Sequence, residues 1–223
     1  MFSYKIIYSA RRTICITVTD GGEVVVRAPI GASRAKIDGF VKSKSCWIEN
    51  AISKEKRKVI PPDFLGGNDF CFCGINGQKV LFYNRVRPFY DCENKTFFLP
   101  LSCRDDGERA AAFKSAAKKS FLKFAANRTE QIAKICGFDY GKVHVGSART
   151  RWGVCSAENN ITYTVFLAFL PQELIDYVIL HELCHVKQKN HSRAFWNLVC
   201  LFMPDAKARR KKLHDYSLFL NVL

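Results

Sequence analysis

Residues 181–191 read HELCHVKQKNH and hold three of the five histidines of a 223-residue chain, with Glu182 beside the first of them. His181 and His185 are four positions apart, one turn of an α-helix, so both imidazoles project from one side next to Glu182. Two imidazoles and an adjacent carboxylate on one helix face are what a zinc ion and a general base require. With five histidines and nine glutamates, H-E-x-x-H is expected by chance about 0.005 times in a chain this long. His191 follows His185 by six residues, the spacing of the third ligand in the extended H-E-x-x-H-x-x-G-x-x-H zinc pattern. Asp205, in the following helical region, is the rival for that third position.

The departure is Gln188, where the extended pattern has glycine. Asparagine tolerates the left-handed conformation, so Asn190 is expected to end the helix two residues later and turn His191 toward the metal. Ser192 is then the N-cap of the next helix, RAFWNLVCLFM. Isolated histidines on half-buried elements are usually packing residues, and His144 and His214 are read that way.

The elements that must position these groups are legible from periodicity. Pro171 suits the first turn of a helix that runs through QELIDYVILHELCHVKQ, with Ile175, Val178, Ile179 and Val186 on one stripe. Glu182 falls inside that apolar stripe. An unpaired carboxylate there costs several kcal/mol, on the order of 2–7 for lost hydrogen bonding alone, unless something nearby neutralises it, and a metal-bound water would do so. Cys184 lies on the far side of the helix from Glu182 and is read as packing.

Upstream, YKIIYSARRTICITVTDGGEVVVRAP alternates as strands of a small antiparallel sheet, with Asp20-Gly21-Gly22 as a tight hairpin turn. Ser33 caps a helix over AKIDGFVKSKSCWIENAISKEKRK that stops before Pro61-Pro62, with Trp47 expected to pack on the sheet. A second strand group covers FCFCGINGQKVLFYNRVRPFYDCENKTFFLP. A long helix is predicted from Asp106 to Cys136, capped by Asp105 or Asp106 and stopped by Gly137. VHVGSARTRWGVCSAENNITYTVF reads as two strands joined at Glu158-Asn159-Asn160. The fold class is therefore α+β, with residues 1–104 an N-terminal β-rich region carrying one helix and residues 105–223 the metal-binding catalytic region; the two could pack as one compact unit.

Composition is that of a soluble globular protein, 48% hydrophobic and 25% charged. No apolar run reaches the roughly 20 residues that cross a bilayer, and the start alternates like a strand rather than a secretory signal, so no membrane is involved and the expected location is cytoplasmic. Most of the ten cysteines are read as buried thiols, and the Cys71-Phe72-Cys73 spacing is poor for a zinc knuckle. The net charge of +15 divides into +7 for residues 1–100 and +8 for the remainder. Clusters at 54–58, 114–119 and 207–212 are read as solvated helix faces, while the overall charge keeps nucleotide or nucleic-acid partners open.

The segments RWGVCS at 151–156, LP at 170–171, IDYVILHELCHVKQKNH at 175–191 and the following SRAFW resemble the YgjP-like metallopeptidase family. That resemblance implies a metal-dependent hydrolase with a zincin-like core, related to the SprT-like proteases, in which a small sheet lies over the helix that bears the metal site. It also implies His181, His185 and His191 as zinc ligands, Glu182 as catalytic base, and a peptide or protein substrate.

From the ligands themselves, three neutral imidazoles leave one position on zinc open for a water that loses a proton near neutral pH. Charge developing on the attacked oxygen needs a stabiliser, and Arg149, Arg151 and Tyr163 are the candidates. Two other readings stand beside a zinc peptidase: a zinc hydrolase of a nucleotide phosphoanhydride, and a nucleic-acid-associated binding protein with a structural zinc. Glu182 argues against the last, since a structural site has no use for a base. The oligomeric state is not legible in the sequence.

Overall fold

The computed structural model describes residues 2–19, 21–67, 69–84 and 86–221. Two compact units divide the chain, Met1–Val59 and Ile60–Leu223. Among the described residues no helix is long and apolar enough to cross a membrane.

In the first unit, β1 (Tyr4–Ser9), β2 (Cys15–Val18) and β3 (Val24–Pro29) form a sheet in the order β1-β3-β2. β2 and β3 are the expected antiparallel hairpin, closed by Gly22 at φ 77°; Asp20 of the expected turn lies outside the described residues. β1 instead pairs parallel to β3, so the sheet is mixed. VVVRAP is the most buried strand of the three and takes the centre, where both its edges are paired. Its Val24, Val26 and Ala28 alternate onto the face covered by Ile37 and Val41 of α1 (Arg34–Ser43) and Ile48 of α2 (Ser45–Lys56).

Ser33 caps α1 through the Lys36 N–H as expected, but the single helix expected after it is two. Ser43 Oγ donates to the Phe40 carbonyl, the acceptor that the Lys44 N–H would use in a continuous helix, and Lys44 bonds to Val41 instead. Trp47 is 52% exposed rather than packed on the sheet, because its neighbour Ile48 takes the inward position.

The second unit begins its regular structure with β4 (Phe70–Phe72), β5 (Ile75–Tyr83), β6 (Phe89–Asp91) and β7 (Thr96–Pro100), ordered β4-β5-β7-β6. α3 (Asp106–Cys136) follows. Asp105 accepts from the Glu108 N–H at its start, and Gly137 ends it in the left-handed region at φ 67°. The expected pair of strands after it proves to be three: β8 (Val143–Gly146), β9 (Gly153–Cys155) and β10 (Ile161–Thr164), ordered β8-β10-β9. β9 and β10 form the predicted hairpin, while β8 pairs parallel to β10 and a loop separates it from β9.

A buried 3-10 turn, Val165–Phe169, leads into α4 (Gln172–Lys187), then α5 (Arg193–Phe202) and α6 (Ala206–Asp215). α4 is buried on every side rather than along one stripe, from Leu174 to His185. It is held from three directions. Arg128 of α3 grips Asp176 with two hydrogen bonds of 2.7 and 2.8 Å. Arg209 of α6 donates to the Glu173 carbonyl at 3.0 Å, so this basic cluster is more than a solvated face. The turn after β4 fits against the first turn of α4 only because residue 74 is glycine: its φ is 79°, and a Cβ there would stand 2.8 Å from Gln172 Cβ.

Phe70 and Phe97 from the four-stranded sheet, Phe113 of α3, Phe64 and Phe169 make one ring cluster, with Phe97–Phe113 centroids 4.7 Å apart and Phe64–Phe169 centroids 4.6 Å apart. Phe113 is fully buried at its centre. Phe113→Ala is expected to lower the unfolding free energy of this unit by about 3–5 kcal/mol, read from the urea midpoint; a loss below about 1 kcal/mol would mean that this ring is not at the core.

Candidate metal centre

The buried faces of α4 bring His181, Glu182 and His185 together, and the chain after the helix brings His191 back to them. Nε2 of His191 lies 3.0 Å from Nε2 of His181 and 3.2 Å from Nε2 of His185. Among the described residues these three form the group able to hold a metal ion, one nitrogen from each, all within 4.8 Å of one another. Ligand nitrogens around a tetrahedral ion with bonds of 2.0–2.1 Å would be about 3.3 Å apart, so the donor set fits. Asp205 is not part of it: its carboxylate bonds to Arg209 at 2.8 Å. His144 and His214 are both exposed and outside the cluster, so neither is a packing residue.

Protonation favours the same use. The Gln188 carbonyl lies 2.9 Å from His185 Nδ1, so that nitrogen carries the proton and the Nε2 lone pair faces the cluster. Burial, followed by the neighbouring His185 and His191, pushes His181 down to about 3. It is neutral throughout the physiological range, the state a metal ligand needs. Phe195 of α5 fixes the rings from below, with centroids 4.4 Å from His185 and 4.9 Å from His181, and Trp196 stacks on His191 at 5.8 Å.

Asn190 does not provide the turn expected of it. The described non-glycine residues with positive φ are Cys73, Lys95 and Asn159, so the left-handed cap is absent from this elbow. Gln188 ends the helix in an extended conformation (φ −131°, ψ 96°) that any residue can adopt. Glycine is therefore not required at 188, and the same extended residue aims its carbonyl at His185. Asn190 accepts from the Ser192 N–H, and Ser192 caps α5 through the Phe195 N–H as predicted.

Glu182 is 5% exposed and burial lifts its carboxyl to about 7, opposed by a hydrogen bond from the Cys155 N–H and by the positive charge of Arg151. β9 approaches the carboxylate so closely that a Cβ on Gly153 would stand 2.7 Å from Glu182 Cγ and Oε1. Gly153 and the Cys155 N–H, which adjoin Glu182 in the candidate site, are features that sequence reasoning missed; the W-G-V-C run held the signal, a glycine inside a strand that marks close approach of another group.

Of the three proposed oxyanion donors, Arg151 is exposed and close enough to act on Glu182. Arg149 is exposed and acts electrostatically on Lys114. Tyr163 is fully buried with its hydroxyl 3.0 Å from Thr129 Oγ1 in the core, so it offers the site no donor. Cys184 is buried, and burial pushes its thiol up to about 12, in keeping with a packing role.

A family model for the YgjP-like metallopeptidase domain matches residues 12–216. The UTP pyrophosphatase of Escherichia coli (strain K12) is 29% identical over 62 residues, 28% of this chain, and the match spans 37% of that protein's length. The metallopeptidase zymogen abylysin of Pyrococcus abyssi superposes on 40% of this chain and 90% of its own at 25% identity, with a TM-score of 0.37.

If the three imidazoles share one divalent ion, His185→Ala should reduce bound metal from about one ion per chain to a small fraction of that, measured by elemental analysis of the purified protein. Equal metal content in wild type and variant would overturn the ligand assignment.

Proposed function

Because the chain belongs to the YgjP-like metallopeptidase family, and is thus a metal-dependent hydrolase, we propose that it is a zinc peptidase cutting an extended peptide or protein segment laid along β9. The observation that carries this reading is the outer edge of β9, which stands last in the strand order β8-β10-β9 and beside Glu182. The Trp152 carbonyl accepts from the Thr164 N–H, and the Ser156 N–H donates to the Asn160 carbonyl, both toward the β10 side. By alternation the backbone groups of Gly153 and Cys155 face the other way, toward the carboxylate; the Cys155 N–H is taken by Glu182, so a substrate would pair with the Gly153 groups. An extended substrate can pair with such an edge through its own backbone.

His181, His185 and His191 would hold the zinc, a borderline ion suited to three neutral imidazoles. When bound, zinc supplies a Lewis acid at the cluster and makes water acidic enough to be a nucleophile near neutral pH. Glu182, fixed by the Cys155 N–H, takes the proton of the attacking water and returns it to the leaving amine. Phe195 and Trp196 keep the imidazoles aligned, and Arg151 meets the charge that develops on the substrate oxygen. All ten cysteines are free thiols, which suits work in a reducing, cytoplasmic compartment.

A second reading, hydrolysis of a nucleotide phosphoanhydride, has its own support. Arg151, Lys189 and Arg210 each act electrostatically on a member of the site, Glu182, His185 and His181 in turn. A cation-ringed centre suits an anionic substrate, and the relative named UTP pyrophosphatase points the same way.

The zinc-loaded protein and its Glu182→Gln variant should be assayed in parallel against a peptide library and a nucleotide panel. Peptide turnover falling by at least about a hundredfold in the variant is expected; turnover that survives the change would remove Glu182 as the base, and turnover of nucleotides alone would replace the peptidase reading by the second one. Gly153→Ala is expected to keep its zinc and lose at least about tenfold in turnover, because the added Cβ displaces the carboxylate.

A further inference from the structure

The elbow at residues 188–190 has two tasks at the metal centre. It presents the Gln188 carbonyl that orients His185, and it carries the chain to His191. Its other ties are local: the Gln188 N–H donates to the Cys184 carbonyl at 3.0 Å, and the Asn190 side-chain Oδ1 accepts from the Ser192 N–H. One side chain links it to the sheet. Lys189 Nζ donates to the Ser156 carbonyl at 2.6 Å and to Asn159 Oδ1 at 2.6 Å, and stands 3.6 Å from Cys155 Sγ.

All three acceptors are neutral and belong to one short segment, the end of β9 and its turn into β10. Lys189 is exposed, but an ammonium with three donors is matched by that set, and three partners fix its direction more closely than the single partner of an ion pair. Asn159 offers its side chain from a left-handed position, φ 62°, at the tip of the turn. The same hairpin places Gly153 and the Cys155 N–H against Glu182.

We infer that Lys189 is a positioning residue, a latch that fastens the His191 elbow to the β9–β10 turn so that the third imidazole and the Glu182 carboxylate share one frame. This rests on the reading of His181, His185 and His191 as zinc ligands. Electrostatics and the latch predict opposite signs for its removal. Taking a positive charge away from the neighbourhood of a dication should tighten zinc binding, whereas loosening a group that orients ligands weakens it, commonly tenfold to a hundredfold.

The test is zinc affinity by competition with a chromophoric chelator, on the full chain, with unfolding midpoints recorded in the presence of excess chelator. Lys189→Met should weaken zinc binding about tenfold with little change in the chelated midpoint. Asn159→Gly, which keeps the left-handed backbone and removes one acceptor, should weaken it less, and the double variant should be no weaker than Lys189→Met alone. Lys187→Met, which removes an exposed charge two residues away, should leave affinity within about twofold. Unchanged or tighter zinc binding in Lys189→Met overturns the latch, as does strict additivity with Asn159→Gly. A wild-type chain that binds no zinc would instead overturn the ligand assignment, and the latch with it.

Discussion

A carboxylate buried at the centre of α4 is the constraint around which this unit is arranged. Glu182 is 5% exposed on a helix with apolar neighbours on every side, and such a group is tolerated only where specific partners replace water. The Cys155 N–H supplies a hydrogen bond and the missing Cβ of Gly153 supplies the room. Both come from β9, whose position is set by pairing with β10, which in turn is paired with β8. The three-stranded sheet thus exists, from the site's point of view, to carry one amide and one gap to the right place.

The histidine cluster depends on the same helix being immobile. Three imidazole nitrogens within 4.8 Å of one another, with that of His191 at 3.0 and 3.2 Å from the other two, tolerate little drift, since ligand geometry is held to a few tenths of an ångström. α4 meets that demand through polar clamps of different kinds. The Arg128–Asp176 fork fixes its first turns against α3, Arg209 reaches the Glu173 carbonyl from α6, and the turn at Gly74 closes on Gln172. The aromatic cluster around Phe113 then gives α3 and the four-stranded sheet a common core.

Local chemistry was the legible part of this chain. The H-E-x-x-H spacing, the caps at Ser33, Asp105 and Ser192, and the glycine stop at 137 each depend on residues close in sequence, and each was found where expected. Pairings between distant segments were not legible. The parallel partners β1–β3 and β8–β10 leave no local mark, and Tyr163 looked available until its hydroxyl was placed on Thr129, 34 residues away. The break at Lys44 turns on one serine hydroxyl taking one carbonyl, and the elbow at 188–190 on an extended residue doing what a left-handed one was expected to do. In both cases several backbone solutions suit the same residues, and packing selects among them.

β9 is only three residues long. Any chain pairing with so short an edge would gain few backbone bonds. The same brevity, on a protein carrying a net charge of +15, protects the molecule from itself. Two copies meeting edge to edge would gain too few amide bonds to offset the repulsion between them, so this edge does not become a seed for fibres.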